Sequence, residues 1–196
     1  AAITDASKAI TLAPEAQGSS VRVVDGKLCV HGLGADRRYA LTVPAGLRLR
    51  GGAKTNTPIH AEVFMASLPK AVGFKGGGFV LAKGSARGVQ VVSTNVSEVA
   101  LEMVRVPERS LSNVVQRIQS GESQLSQWDL SLLLEKSAAL SWRGRVAIKG
   151  QANETVSTIV PIQQAIAKLP AGAYALMVRD ASDSKAMMPS NLFAAN

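Results

Sequence analysis

The stretch Gly84–Leu111, GSARGVQVVSTNVSEVALEMVRVPERSL, decides the fold. Gly88 to Val92 and Val99 to Val106 are runs rich in β-branched and apolar residues, parted by the polar Ser93-Thr94-Asn95. That spacing predicts two strands joined by a turn, because branched side chains suit a pleated surface and Asn and Ser accept turn geometry. In the second run Val99, Leu101 and Met103 fall on one face, and Ala100, Glu102, Val104 and Val106 on the other. The second face is therefore expected to be only partly wet. Ser110 or Ser112 then caps a helix in which Leu111, Val114, Val115 and Ile118 recur at i, i+3, i+4 and i+7, and Gly121 ends it.

Towards the N-terminus, residues 1–20 are small and polar, with a short apolar stretch at Ile10 and Leu12 that Pro14 and Gly18 close. Val21–Val24 and Lys27–His31 flank Asp25-Gly26, a strong hairpin signal. Tyr39, Leu41 and Val43 alternate with Ala40 and Thr42, which predicts a strand with one buried face, stopped by Pro44 and Gly46. Residues 47–58 read as a loop and Ile59–Met65 as the next strand. The first 68 residues thus hold three or four strands and no helix, thin for a closed sandwich: either a first strand is lacking or the sheet leans on its neighbour. Leu68-Pro69 is the expected boundary, since proline forces its predecessor into extended geometry. Gly73–Leu81 opens a second unit.

Towards the C-terminus, Gln127–Ser137 suggests a second short helix, and Trp142 starts a strand in which Arg143, Arg145 and Lys149 face approximately opposite to Val146 and Ile148. Ser157–Lys168 ends in a one- or two-turn helix over Pro161–Ala167. Tyr174–Val178 reads as the closing strand, and residues 181–196 as a tail or linker. The expected organisation is a first β domain over 1–68, a second over 69–180 and that tail. The fold class is mainly β: two tandem sandwiches of the immunoglobulin-like or fibronectin type III-like kind, the second with one or two short helices.

Composition narrows the function. The chain has 196 residues, 46% hydrophobic and 18% charged, enough apolar material for two cores and no sign of disorder. Aromatics are only 4%, so those cores rest on Val, Leu, Ile and Ala. The net charge of +8 raises the odds of an acidic partner. Yet Arg37, Arg38, Arg48, Arg50, Lys83, Arg87, Arg143 and Arg145 are scattered, and aromatics for stacking bases are scarce. Nucleic acid is not expected as a partner. The single cysteine, Cys29, excludes an internal disulfide and a multi-cysteine zinc site, and within Leu28-Cys29-Val30 it reads as a buried, inert thiol. No apolar run is long enough to span a bilayer as a helix, and residues 1–10 are not an intact signal peptide.

Motifs for chemistry are missing. Gly76-Gly77-Gly78 lacks the lysine and following helix of a phosphate loop. Gly32-Leu33-Gly34-Ala35-Asp36-Arg37 has arginine where a dinucleotide fingerprint needs its third glycine. His31 and His60, the only histidines, stand apart from any GxSxG elbow or HExxH spacing, and Gly84-Ser85-Ala86 is no elbow. Asn95-Val96-Ser97 and Asn153-Glu154-Thr155 match the glycosylation sequon, a triplet frequent by chance. No catalytic, cofactor-binding or metal-binding residue is expected, and no cofactor.

Three pieces in order resemble the N-terminal macroglobulin domains of bacterial α2-macroglobulins. Leu28-Cys29-Val30-His31-Gly32-Leu33 with Arg38–Leu47 resembles the first domain's Leu-Cys-Val, Gly-Leu, Tyr-x-Leu-Thr and Gly-Leu segment. Gly88–Val96 with Leu101–Val106, Arg109 and Leu111 is similar to the opening of the following domain, and Pro170–Tyr174 to the entry of its final strand.

The resemblance implies a non-catalytic N-terminal fragment of a broad-spectrum protease inhibitor. Such a protein would be a periplasmic trap tethered to the inner membrane that protects the cell envelope against host defence. A protease cuts its bait region, and in many members a cysteine–glutamine thioester then bonds to the attacker. Cys29 is followed by Val30, His31 and Gly32, not by that motif, so the thioester role does not pass to it. Lipid attachment belongs upstream, because position 1 departs from a lipobox. Implied partners are other domains of the same chain, target proteases, and periplasmic or inner-membrane proteins. Arg87, Arg105, Arg109, Arg143 and Arg145 are candidates for such contacts, with plain surface charge as the simpler reading. The rival reading is a free-standing immunoglobulin-like adhesion or ligand-binding module.

Overall fold

The computed structural model describes residues 10–24, 27–47, 54–75, 79–81, 88–119, 126, 128, 130–131, 140–185 and 188–195. Asp25-Gly26, the glycine triplet, Gly84–Arg87, Arg48, Arg50 and Gly121 lie outside those residues. The chain divides into two compact units, Ala1–Leu68 and Pro69–Asn196.

In the first unit β1 (Thr11–Ala13), β4 (Arg37–Val43) and β5 (Ile59–Met65) form an antiparallel sheet with β4 central, and β2 (Ser20–Val24) pairs with β3 (Lys27–His31) as a hairpin. The period-two pattern of β4 works as the sequence suggests: Tyr39 and Val43 point to one face and are buried. Tyr39 is held because its phenol oxygen accepts the Gly34 N–H at 2.9 Å, so a polar tip inside is satisfied. β1 was hidden in the sequence by its brevity. Cys29 is only half-buried, against the expectation of a buried thiol, because its hairpin has two strands and Cys29 stands opposite Arg22.

The second unit is a sandwich. One sheet has the order β10 (Leu140–Ala147), β9 (Glu98–Arg105), β12 (Gly172–Asp180), β13 (Ser190–Ala195) and β7 (Phe79–Leu81). The other has β11 (Thr155–Val160), β8 (Val89–Thr94) and β6 (Ala71–Phe74). Between them Phe74, Val89, Val91 and Val160 meet Val99, Leu101, Met103, Leu176, Val178 and Phe193. Each fully buried side chain of this size contributes about 2 kcal/mol, so this seam dominates the unit's stability. Tyr174 stacks on Phe193 with ring centroids 5.6 Å apart, and its hydroxyl donates to the Pro170 carbonyl at 2.8 Å. The short α2 (Gln163–Ile166) closes the core with Ile162, Ile166 and Leu169.

Two expectations for this unit need correction. The helix α1 (Glu108–Gln119) begins two residues before Ser110, because Pro107 suits a helix start and the acidic Glu108 its first turn. Residues 181–196 are not a tail, and Tyr174–Val178 is not the closing strand: Ser190–Ala195 pairs antiparallel with β12 from Gly172↔Ala195 to Met177↔Ser190. β12 is buried on both faces and needs a neighbour on each edge to satisfy its main chain. Gln127–Ser137 is described only in part; there Leu130 takes a helical bond from its N–H to Ser126 O at 2.9 Å and is buried with Leu192 and Met177.

Gly88 enters β8 with φ of 126°, and a Cβ there would stand 2.5 Å from the Val160 carbonyl oxygen of β11. Neither conformation nor space admits a side chain, and the obstacle is backbone. Gly88→Ala is expected to cost about 2–4 kcal/mol, read as a lower urea midpoint at unchanged slope. Gly73→Ala in β6, where nothing lies within 4 Å of the new methyl, is expected to stay within about 0.5 kcal/mol of the parent.

Candidate interaction surface

The five-stranded sheet has two unlike faces, set by the alternation of side chains along each strand. Val99, Leu101, Met103, Trp142 and Val146 face the sandwich core. On the outer face Val104, Val106, Ala175, Met177 and Leu192 lie under Leu111 of α1 and Leu130. Beside that cluster the outer face carries charged side chains. Register places Arg143 opposite Glu102 and Arg145 opposite Ala100, while from the other side Arg179 also stands opposite Ala100.

Arg143 Nε lies 3.5 Å from Glu102 Oε1, Arg179 Nη2 4.0 Å from the same oxygen, and Arg145 Nη1 3.3 Å from Glu98 Oε2. Arg179 is 17% exposed at its side chain and is held by the carbonyls of Asp180 and Asp183. Arg143 and Arg145 are 68% and 66% exposed. With Ala100 and Gly144 between them, these side chains border a recess of about 370 Å³. Small residues make its floor and guanidinium groups its walls.

The other candidate residues do not gather there. Arg105 ends β9 and donates to the Ala171 carbonyl at 3.4 Å; Arg109 sits on α1; Arg87 is not described. His31 ends β3, and His60 on β5 has Nδ1 3.1 Å from Thr42 Oγ1. Among the described residues no three His, Cys, Asp or Glu side chains form a metal-binding group. Arg179 was the residue that sequence reasoning missed. Its parity with Met177 on a strand buried on both sides was the available signal.

The two sequon asparagines do meet. Asn95 Nδ2 donates to Asn153 Oδ1 at 3.2 Å, and Asn153 N–H donates to Asn95 Oδ1 at 2.6 Å. Both residues have positive φ, 54° and 62°, a conformation asparagine accepts better than most. They lock the β8–β9 turn to the β10–β11 loop, which gives both positions a structural duty.

Asp180, on the inner face of β12, makes the shortest ion pair among the described residues. Its Oδ2 accepts from Lys70 Nζ at 2.8 Å, and its Oδ1 from Ser182 N–H at 2.9 Å and the Ser182 hydroxyl at 2.7 Å. Burial alone would raise its pKa, but the hydrogen bonds from Lys70 and Ser182, with the Lys70 charge, outweigh it and hold the carboxyl below the ordinary 3.8. A lowered folded pKa gives stability that is present above the unfolded value and is lost as pH falls through the folded one. Lys70 is 61% exposed, so solvent screens much of the pair. Lys70→Met is expected to cost about 1 kcal/mol at neutral pH. The gap should hold down to about pH 5 and close below it, in urea unfolding across a pH series.

Comparison with known proteins gives this architecture a family. The family model for the bacterial alpha-2 macroglobulin MG2 domain matches residues 73–193. An alpha-2-macroglobulin of Xylella fastidiosa (strain 9a5c) is 34% identical over 135 residues, which are 66% of this chain and 8% of that protein. The alpha-2-macroglobulin of strain Temecula1 / ATCC 700964 is 32% identical over 135 residues, again 8% of its length. The chain therefore matches only a small part of these curated relatives. In fold, Salmonella alpha-2-macroglobulin reacted with methylamine superposes with a TM-score of 0.62 at 22% identity, over 97% of this chain and 11% of that one. Native Escherichia coli alpha-2-macroglobulin spanning domains MG0-NIE-MG1 gives 0.53 at 19% identity, over 95% of this chain and 60% of that one. By its sequence match over residues 73–193, this chain belongs to the bacterial alpha-2-macroglobulin family.

Proposed function

We propose that this chain is a non-catalytic, architectural part of a much longer protease-trapping protein of the cell envelope. The observation that carries the reading is the family match itself, over most of the second unit, combined with relatives of which the aligned residues are only 8%. In such a chain the work of these residues is positional. They hold a rigid sandwich with one charged, open face in a fixed place beside other domains of the parent, and the bait and any thioester lie elsewhere. The parent works in the periplasm, tethered to the inner membrane. Its targets are endopeptidases that reach the envelope, and its further partners are proteins of that compartment.

The charged face carries guanidinium and carboxylate groups, which suit contact with a partner. The expected result is an envelope protein many times larger than this fragment's 20.5 kDa, detected by an antibody to the fragment and shortened in discrete steps by added protease. A native product close to the fragment's own size would sink the reading and favour the free-standing binding module.

A further inference from the structure

We infer that the outer edge of the charged sheet is a docking surface for an extended acidic segment with carboxylates at alternate positions, laid along β10. Arg143 and Arg145 are two residues apart on one face of β10, hence about 6.6–6.8 Å apart along the strand. Among the described residues β10 is the outermost strand of its sheet, and it pairs with β9 on its inner side.

β9 shows what fits these arginines. It offers Glu98 and Glu102, on the same face, to Arg145 and Arg143. That supply is incomplete. Glu102 is shared between Arg143 and Arg179, at 3.5 and 4.0 Å, well beyond the 2.7–2.9 Å of a good charge-assisted bond. Three arginines against two carboxylates leave the face positive, on a protein whose net charge is already +8. The side chains are two-thirds exposed, and between them Ala100 and Gly144 leave the recess described above.

A second strand on the outer edge of β10 beside Arg143 and Arg145, with acidic residues at i and i+2, would repeat the β9 arrangement from the other side. Its main chain would add to the sheet edge, and its carboxylates would take the unused forks of Arg143 and Arg145. Arginine suits this task because its planar fork loses little freedom per hydrogen bond formed. The inference stands on this face whatever the size of the parent chain, so it fails or holds independently of the trap reading.

The test uses the 196-residue chain and a fluorescein-labelled peptide of alternating threonine and glutamate. A second peptide of the same composition has its glutamates contiguous. The alternating peptide is expected to bind, more weakly as salt rises, and to slow amide exchange over residues 140–147. Replacing both arginines, Arg143→Ala with Arg145→Ala, is expected to weaken it about tenfold, whereas Lys149→Ala, beyond the strand, leaves it nearly unchanged. Equal binding of the contiguous peptide, or an equal loss with Lys149→Ala, would mean general attraction to a basic surface and overturn the proposal. So would vesicles of phosphatidylglycerol binding through the two arginines while neither peptide does. Should the double variant fail to melt like its parent, amide exchange on the unaltered chain decides: no protection of β10 with peptide bound rejects the site.

Discussion

The second unit depends on the placement of β12. From Tyr174 to Val178 it is buried on both faces, so every N–H and C=O in the run must find a partner in a neighbouring strand. β9 supplies one edge, from Tyr174↔Arg105 to Asp180↔Val99, and β13 the other. With its partners fixed, the faces follow. Tyr174, Leu176 and Val178 go to the sandwich core, and Ala175 and Met177 to the smaller cluster under α1 and Leu130. Arg179, one step further, falls where that cover ends. The charged face is the part of the same side that the helical segment does not reach.

This explains why two clusters coexist on either side of one sheet. A sheet can leave a face to water, but Val104 on β9 and Val106 just past its end are too apolar to be left there. Leu111 and Leu130 cover them, and the cover stops at Glu102, which is charged and tied to Arg143 and Arg179. A single strand, β9, thus carries on its outer face both an apolar contact and an open charged patch. The break lies between Glu102 and Val104.

Much of this was legible in the sequence, and what was not has identifiable causes. The alternation in Val99–Val106 gave both faces of β9 correctly, including the partly wet one, because period-two patterning survives without tertiary knowledge. Tyr39–Val43 was legible for the same reason. β13 was not: Ser190-Asn191-Leu192-Phe193-Ala194-Ala195 is small and mixed, and its strand character comes from the demand of β12 rather than from its own propensity. β1 has three residues and offers no period to read. At the surface, the sequence named Arg143 and Arg145, but it could not bring in Arg179 without the register that sets it opposite Ala100.

The two ends of the sandwich show how such a unit keeps its shape. At one end the reciprocal bonds of Asn95 and Asn153, with the Thr94 and Thr155 hydroxyls 2.8 Å apart, fasten together the β8–β9 and β10–β11 connections, both of which link the two sheets. Elsewhere Ile162, Ile166 and Leu169 fill the core where the chain crosses from β11 to β12. Lys70, just past the unit boundary, is fastened to Asp180 at the close of β12. Sliding one sheet over the other would break these contacts together, and each lies between parts far apart in sequence. Their combined effect is to make distortion cooperative rather than local. A module built this way keeps Arg143 and Arg145 at fixed spacing on a strand, and fixed spacing is what lets a surface of scattered charge discriminate between partners.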